Sequence, residues 1–261
     1  MIPPVVQEML GEVTGALRAA GPGEPASAFF VPGRVEVLGK HTDYAGGRSL
    51  VAAVQQGFVV AARPRPDRLA VVLDVEGGRR AELALDPALP EQAEAWARYP
   101  ATVVRRVARN FPEAATGADL AFLSNLPHAS GMSSSSAFMV AVYLVLSDLN
   151  GLERLEAYRR EIRSPEDLAG YLGTIENGQS FGALAGDRGV GTFGGSEDHT
   201  AILCGREGEL SLYSFCPVHH ERQVSFPADH GLVVAVSGIV AEKTGAAMSL
   251  YNRASFAARA V

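Results

Sequence analysis

Leu126-Pro-His-Ala-Ser-Gly-Met-Ser-Ser-Ser-Ser-Ala137 is the stretch on which the reading of this chain turns. A loop of small residues runs straight into residues 133–149, which are apolar enough to predict a buried helix. Backbone N–H groups at such a helix start, with the positive end of its dipole, suit phosphate oxygens. The serine hydroxyls add further donors, and one of them can ligate magnesium. A single serine suffices as a cap, so four in a row point to an anion rather than to capping alone.

Three other segments carry polar groups in unusual density. Pro32-Gly-Arg-Val-Glu-Val-Leu-Gly-Lys-His-Thr-Asp-Tyr44 reads as an apolar strand with Arg34 near its start and a polar cluster at its end. That cluster is either a turn rich in turn-formers or a polar-ligand pocket. In the pocket reading, Asp43 accepts bonds from vicinal hydroxyls while Lys40 and His41 donate. Glu176-Asn177 falls near the end of a predicted helix over 165–179, where a lone Glu is ordinarily a solvated charge. In Gly194-Gly-Ser-Glu-Asp-His-Thr200 the glycines admit a ligand close to the backbone, and Asp198 can serve as a general base; the alternative is an Asx-type turn.

Around these segments strands and helices mix without a regular βαβ rhythm, which predicts an α+β fold. Helical spacing of Val5, Val6, Met9, Leu10, Val13 and Leu17 predicts an opening helix that Gly21-Pro-Gly23 stops. Strands are predicted over 28–38, 50–61, 69–75, 81–85, 119–123, 210–215 and 231–237. Helices are predicted over 91–110, 133–149 and 165–179, with a last helical run through Met248 and Phe256. Ser164-Pro-Glu-Asp167 is a strong helix start.

Composition excludes several functions. The 261 residues are 47% hydrophobic and 20% charged, as in a folded domain, with 23 basic against 29 acidic residues and a net charge of −6. That balance argues against a nucleic-acid or anionic-membrane binder. No stretch approaches the roughly 20 apolar residues of a membrane span. The opening residues do not read as a signal peptide. Two cysteines, Cys204 and Cys216, cannot staple a chain of this length, which favours a cytoplasmic location. With His219 and His220 they fit no common closed zinc spacing, and both are read as lying in apolar strands. Gly189-Val-Gly-Thr-Phe-Gly194 follows a loop rather than a strand, so it is not read as a dinucleotide fingerprint. Gly33 and Gly39-Lys40 have a spacer one residue too long for a P-loop.

Taken in order, the polar segments resemble those of the GHMP kinase superfamily and, within it, the galactokinase group. Residues 34–44 resemble the sugar signature G-R-V-N-L-I-G-E-H-T-D-Y, and residues 127–137 the phosphate loop P-x-G-x-G-L-S-S-S-A. Glu176-Asn177 with Phe181 resembles the E-x-x-F stretch. Ser196-Glu-Asp-His199 sits where the family has M-D-Q, and Ser237 with Tyr251-Asn252 resembles its S-x-V…Y-x-x-R segment.

The resemblance implies a ribosomal-S5-like N-terminal domain over 1–200, then the start of a ferredoxin-like C-terminal domain over 201–261. The third glycine-rich motif is absent, so the chain is read as a C-terminally incomplete member. The implied activity is phosphoryl transfer from ATP to the anomeric hydroxyl of galactose or a similar hexose. Ser130, Gly131, Met132, Ser133, Ser134, Ser135 and Ser136 would bind ATP, and Ser134 and Glu176 would hold Mg²⁺. Asp198 and Arg34 would be catalytic; Lys40, His41, Asp43 and Tyr251 would hold the sugar.

Lys40 stands where the signature has Glu, exchanging an acceptor for a cation that favours a carboxylate or phosphate on the sugar. A galacturonate-type kinase and a non-catalytic sugar- and ATP-binding regulator are therefore the alternatives. The sequence leaves the oligomeric state open.

Overall fold

The computed structural model describes residues 2–127, 130–235 and 248–259. It mixes helices and strands as the sequence predicts, and it divides into two compact units. The first comprises Met1–Val31, Gln56–Asn125 and Phe138–Arg160; the second comprises Pro32–Gln55, Leu126–Ala137 and Glu161–Val261.

In the first unit, helix α1 (Pro4–Ala20) opens with proline in its first turn and buries Val6, Met9, Val13 and Leu17. This apolar stripe packs on Val59, Ala61 and Ala121, which belong to strands β2 (Arg48–Arg65) and β5 (Gly117–Ser124). Strands β3 (Leu69–Asp74) and β4 (Arg79–Ala84) form an antiparallel hairpin in which Leu69 faces Ala84. Asp74 stabilises its turn by accepting from the Gly77 N–H at 2.9 Å and Arg79 Nε at 2.8 Å.

Strand β3 then pairs parallel with β5, and β5 pairs antiparallel with β2, Phe58 opposite Ser124. The parallel step requires a crossover, which is supplied by β4 and helix α2 (Ala95–Asn110). Asp119 receives both Arg63 Nε and Arg65 Nη1 at 2.8 Å, locking β5 to β2. Phe58, Phe122 and Phe138 fill the remaining space, with ring centroids 4.3–5.8 Å apart. Phe138 lies on helix α3 (Ser134–Asn150), which is apolar on nearly every face and correspondingly buried.

In the second unit, strand β1 (Ser27–Leu38) delivers residues 32–38, and a 3₁₀ turn at Asp43–Ala45 leads into the first half of β2. That half pairs antiparallel with β6 (Glu209–Ser214), which pairs antiparallel with β7 (His219–Ser225). Helix α4 (Glu156–Glu161), all but its last residue in the first unit, is followed in the chain by α5 (Pro165–Asn177), where the Ser164 hydroxyl accepts from the Asp167 N–H at 3.1 Å. Helices α6 (Glu197–Cys204) and α7 (Met248–Arg259) complete the described unit. Val51, Ala201, Tyr213 and Phe215 form a core cluster there.

Three expectations need correction. Strand β7 was not predicted, while residues 231–235 carry no strand, and 236–237 lie outside the described residues. Helix α2 starts at Ala95 rather than at residue 91 because the backbone at Glu94 is still extended. Neither cysteine lies in a strand: Cys204 ends α6 and Cys216 sits in the turn between β6 and β7.

The packing of α1 predicts that Leu17→Ala, at a fully buried site, lowers stability by about 2–5 kcal/mol in urea unfolding. Val5→Ala, at a 46% exposed position of the same helix, should stay within about 0.5 kcal/mol of the parent.

Candidate functional site

Arg34 is the residue through which the second unit's polar segments meet. Gly33, just before it, lets the strand lie against the serine loop, since a Cβ there would meet a Leu126 methyl at 2.5 Å and the Met132 carbonyl at 2.9 Å. The Arg34 N–H donates to that same carbonyl at 3.2 Å. Its guanidinium is buried and spreads over two targets: Nη1 donates to the Gly131 carbonyl at 2.5 Å, and Nε donates to Asp198 Oδ1 at 2.8 Å. Nη2 lies 2.5 Å from the same carboxylate oxygen. Burial alone would lower the guanidinium's proton affinity, but Asp198, Glu197 and Glu36 together raise it.

Asp198 sits in the first turn of α6, and its other oxygen accepts from Ser136 Oγ at 3.2 Å. Ser136 also lies 3.0 Å from Glu176 Oε2. The hydroxyl thus stands between a carboxylate from α5 and one from α6. Among the other serines of the run, Ser134 is exposed and opens α3, Ser130 and Ser135 are half-buried, and Ser133 is buried. Gly131 is exposed and Met132 buried. The run therefore reaches the carboxylates through Ser136, whereas Ser134 faces outward. Ser133 holds a left-handed backbone, φ 58°, unusual outside glycine.

His41 has the same conformation, φ 59°. Two non-glycine residues in the left-handed region, one in each loop, mark the site as a place of backbone strain. The His41 ring meets Tyr251 edge-on, centroids 5.9 Å apart, and lies 6.1 Å from Tyr44. Burial and the carboxylates of Glu176, Asp43 and Asp198 push the Tyr251 phenol's pKa up. Asp43 is buried, and its carboxylate accepts from the Glu197 N–H at 3.2 Å. Burial pushes its carboxyl above the usual range, the nearby Asp198 charge adding to the effect. Lys40 differs from its neighbours: its side chain is 67% exposed and its Nζ lies 4.0 Å from Glu36 Oε2.

The glycine-rich stretch lies against the end of α5. The Val190 N–H donates to the Glu176 carbonyl at 2.9 Å, and Asn177 Nδ2 to the Gly194 carbonyl at 2.9 Å. Asn252 clasps it from α7, accepting from the Phe193 N–H at 3.0 Å and donating to the Gly191 carbonyl at 2.9 Å. His199 is fully buried with its Nε2 3.6 Å from Glu176 Oε2, and among the described residues neither ring nitrogen has a hydrogen-bond partner. Burial lowers its pKa against the pull of Glu176, Asp198 and Asp43, so the ring is neutral at pH 7.

Arg34, Asp198, Ser136 and Glu176 thus form one hydrogen-bonded set, with Asp43, His41 and Tyr251 grouped beside it. Sequence reasoning missed Glu36, Ser49 and Glu197. The signal for two of them was present, because Glu36 stands where the quoted sugar signature has Asn and Glu197 where the quoted M-D-Q has Met. Ser237 of the final motif lies outside the described residues.

A glycine makes part of this geometry. A Cβ at Gly195 would collide with the Asp43 carboxylate, whereas one on Gly11 of α1 meets nothing within 4 Å. Gly195→Ala is expected to cost about 1–3 kcal/mol in urea unfolding. Gly11→Ala should instead stabilise by about 0.5–1 kcal/mol.

Residues 20–64 match the galactokinase galactose-binding signature, and residues 98–195 match the GHMP kinase N-terminal domain. The Streptococcus mutans galactokinase is 32% identical over 151 residues, 56% of this chain and 39% of that protein. A Haemophilus influenzae galactokinase is 34% identical over 118 residues, 45% of this chain and 31% of its own length.

Among solved structures, the Lactococcus lactis galactokinase complexed with galactose superposes with a TM-score of 0.66 at 25% identity, covering 83% of this chain and 51% of that one. The Methanococcus jannaschii mevalonate kinase, at 12% identity and a TM-score of 0.52, shares the fold. The matches span between about a third and a half of those relatives' lengths. With both family models in chain order and galactokinases recurring in sequence and structure, the chain belongs to the GHMP kinase superfamily, with galactokinase-group homologues.

Proposed function

We propose that this chain carries the catalytic machinery of an ATP-dependent sugar kinase that phosphorylates the anomeric hydroxyl of galactose or a galactose-like hexose. The observation that carries the proposal is the Arg34–Asp198 pair joined through Ser136 to Glu176. It puts a carboxylate able to take a proton, a guanidinium able to steady negative charge and the serine-rich helix start within one hydrogen-bonded group.

In this reading the sugar's anomeric oxygen attacks the γ-phosphorus of ATP. The new O–P bond forms as the bond to the bridging β,γ-oxygen breaks, and ADP leaves. The hydroxyl proton passes to Asp198. Arg34 steadies the charge on the transferring group. Residues 130–136 hold the triphosphate, while His41, Asp43 and Tyr251 hold the sugar, with Lys40 at the rim.

The residues also fit the divalent cation that such chemistry uses. Among the described residues no three His, Cys, Asp or Glu side chains form a metal cage. Mg²⁺ needs none, taking one or two carboxylates and leaving its other positions to phosphate and water. Glu176 with a serine of the 133–136 run would hold it, Ser134 having the motif position and Ser136 the contact. When bound, the ion neutralises charge on the phosphates. Residues 1–200 then correspond to the family's N-terminal domain and 201–261 to the start of its C-terminal domain. No helix among the described residues is long and apolar enough to cross a membrane, and the proposed location is cytoplasmic.

Lys40 favours a second substrate class. Its exposed ammonium, 4.0 Å from Glu36, is long and free enough at its tip to turn to a carboxylate at the sugar's C6, making galacturonate a substrate to test beside galactose.

The purified chain with ATP and Mg²⁺ should yield a sugar 1-phosphate by mass spectrometry from galactose or galacturonate. Asp198→Asn should reduce turnover by about 10²–10⁴-fold with ATP binding retained. Turnover near the parent level in that variant would overturn the proposal, as would ATP binding with no phosphorylation of any hexose or uronate offered.

A further inference from the structure

Glu197 is a buried acid that the proposed reaction does not use. We propose that Glu197 is a positioning residue for Arg34, sharing the guanidinium with Asp198, and that Glu36 and Ser49 hold its carboxyl in place for that role. The inference rests on the reading of Arg34 and Asp198 given above.

The geometry is specific. Glu197 Oε1 lies 3.9 Å from Arg34 Nε, the same nitrogen that donates to Asp198 Oδ1 at 2.8 Å. Glu197 Oε2 is fixed by Ser49 Oγ at 2.5 Å, and its N–H is fixed by Asp43. The Glu36 carboxyl, itself buried, meets that of Glu197, and beyond it stands Lys40. Lys40, Glu36, Glu197 and Arg34 therefore form a continuous row from the surface to the site. Its first three members all depart from the motifs the chain otherwise resembles. Those departures touch one another, which is how a single substituted network reads.

The charged and titratable groups facing Glu197 are Arg34 and Glu36 from β1, Asp43 from the 3₁₀ turn, and Asp198 on its own helix. Two carboxyls in contact cannot both ionise cheaply, so the pair retains a proton. Burial first, then Asp43 and Glu36, push the Glu197 carboxyl up to about 8, against the opposing bond from Ser49.

Below that pH, Arg34 directs its charge onto Asp198. Above it, a second anion at 3.9 Å draws on the guanidinium, and Asp198 becomes the better proton acceptor. The proton lost by Glu197 goes to solvent. The same shift has a signed effect on stability. The folded chain holds a proton that the unfolded chain has released above its ordinary value of 4.5. Stability from this group is thus complete below about 4.5 and is lost as pH rises through about 8.

The test is a carbon-13 NMR titration of the Asp and Glu side-chain carboxyls. The Glu197 signal should titrate near pH 8, and the Asp198 signal should show a step at the same pH. Glu197→Gln should abolish the step, and Glu36→Gln should move the Glu197 midpoint down. Glu197→Met, the residue of the resembled motif, serves if the Gln variant does not fold.

An Asp198 signal that titrates identically in parent and variant would overturn the proposal. Turnover read on the same samples separates the two claims. A coupled step without any sugar phosphorylation sinks the kinase reading and leaves the Glu197 assignment standing. With turnover, kcat should rise through the same midpoint in the parent and stay flat in Glu197→Gln, with KM for ATP within about threefold.

Discussion

A guanidinium taken out of water costs several kcal/mol unless charge and hydrogen bonds surround it. Arg34 is buried to 6% exposure, and the second unit is arranged so that this cost is met. Asp198 supplies the countercharge and the Gly131 carbonyl a further acceptor, so the serine loop and the start of α6 are drawn to one strand. Gly33 and Gly195 follow from this constraint: each stands where a side chain would push a loop or a carboxylate away. The left-handed conformations of Ser133 and His41 belong to the same set, since a tightly held site is where such strain is tolerated.

The concentration of acids around that cation shapes what the site does. Glu36, Asp43, Glu176, Glu197 and Asp198 crowd one region, yet burial moves Asp43 and Glu197 toward their neutral forms and His199 toward its own. Glu197, its carboxyl pushed up to about 8, therefore keeps its proton at neutral pH. Glu176 and Asp198, both bonded to Ser136 Oγ, are the acids that meet the serine loop. Lys40 at the exposed end of the row adds a cation beside Glu36.

Much of the fold could be read directly. The stripe of α1, the neighbouring strands predicted over 69–75 and 81–85, the Ser164 cap and the apolar run of α3 are local patterns that follow from residue type and spacing. Strand β7 could not be read, because His-His-Glu-Arg-Gln-Val-Ser is polar and mostly exposed, and it is held by its ladder to β6 rather than by an apolar face. The site divides in the same way. Arg34, Asp198 and Glu176 were named from motif spacing, but that Ser136 rather than Ser134 faces the carboxylates depends on the first turn of α3. Glu197 departs visibly from the resembled motif, but an acid in a helix is read as a surface charge, and its burial depends on Ser49, a strand residue far away in sequence.

If the Arg34–Asp198 pair is the constraint on which the site depends, the two residues must be coupled energetically. A double-mutant cycle on folding stability with Arg34→Met and Asp198→Asn measures that coupling directly. Each single variant leaves a buried group without its partner and should cost about 3–5 kcal/mol. The double variant should cost far less than the two together, giving a coupling of about 2–3 kcal/mol. Single losses that add to within about 0.5 kcal/mol would contradict the account.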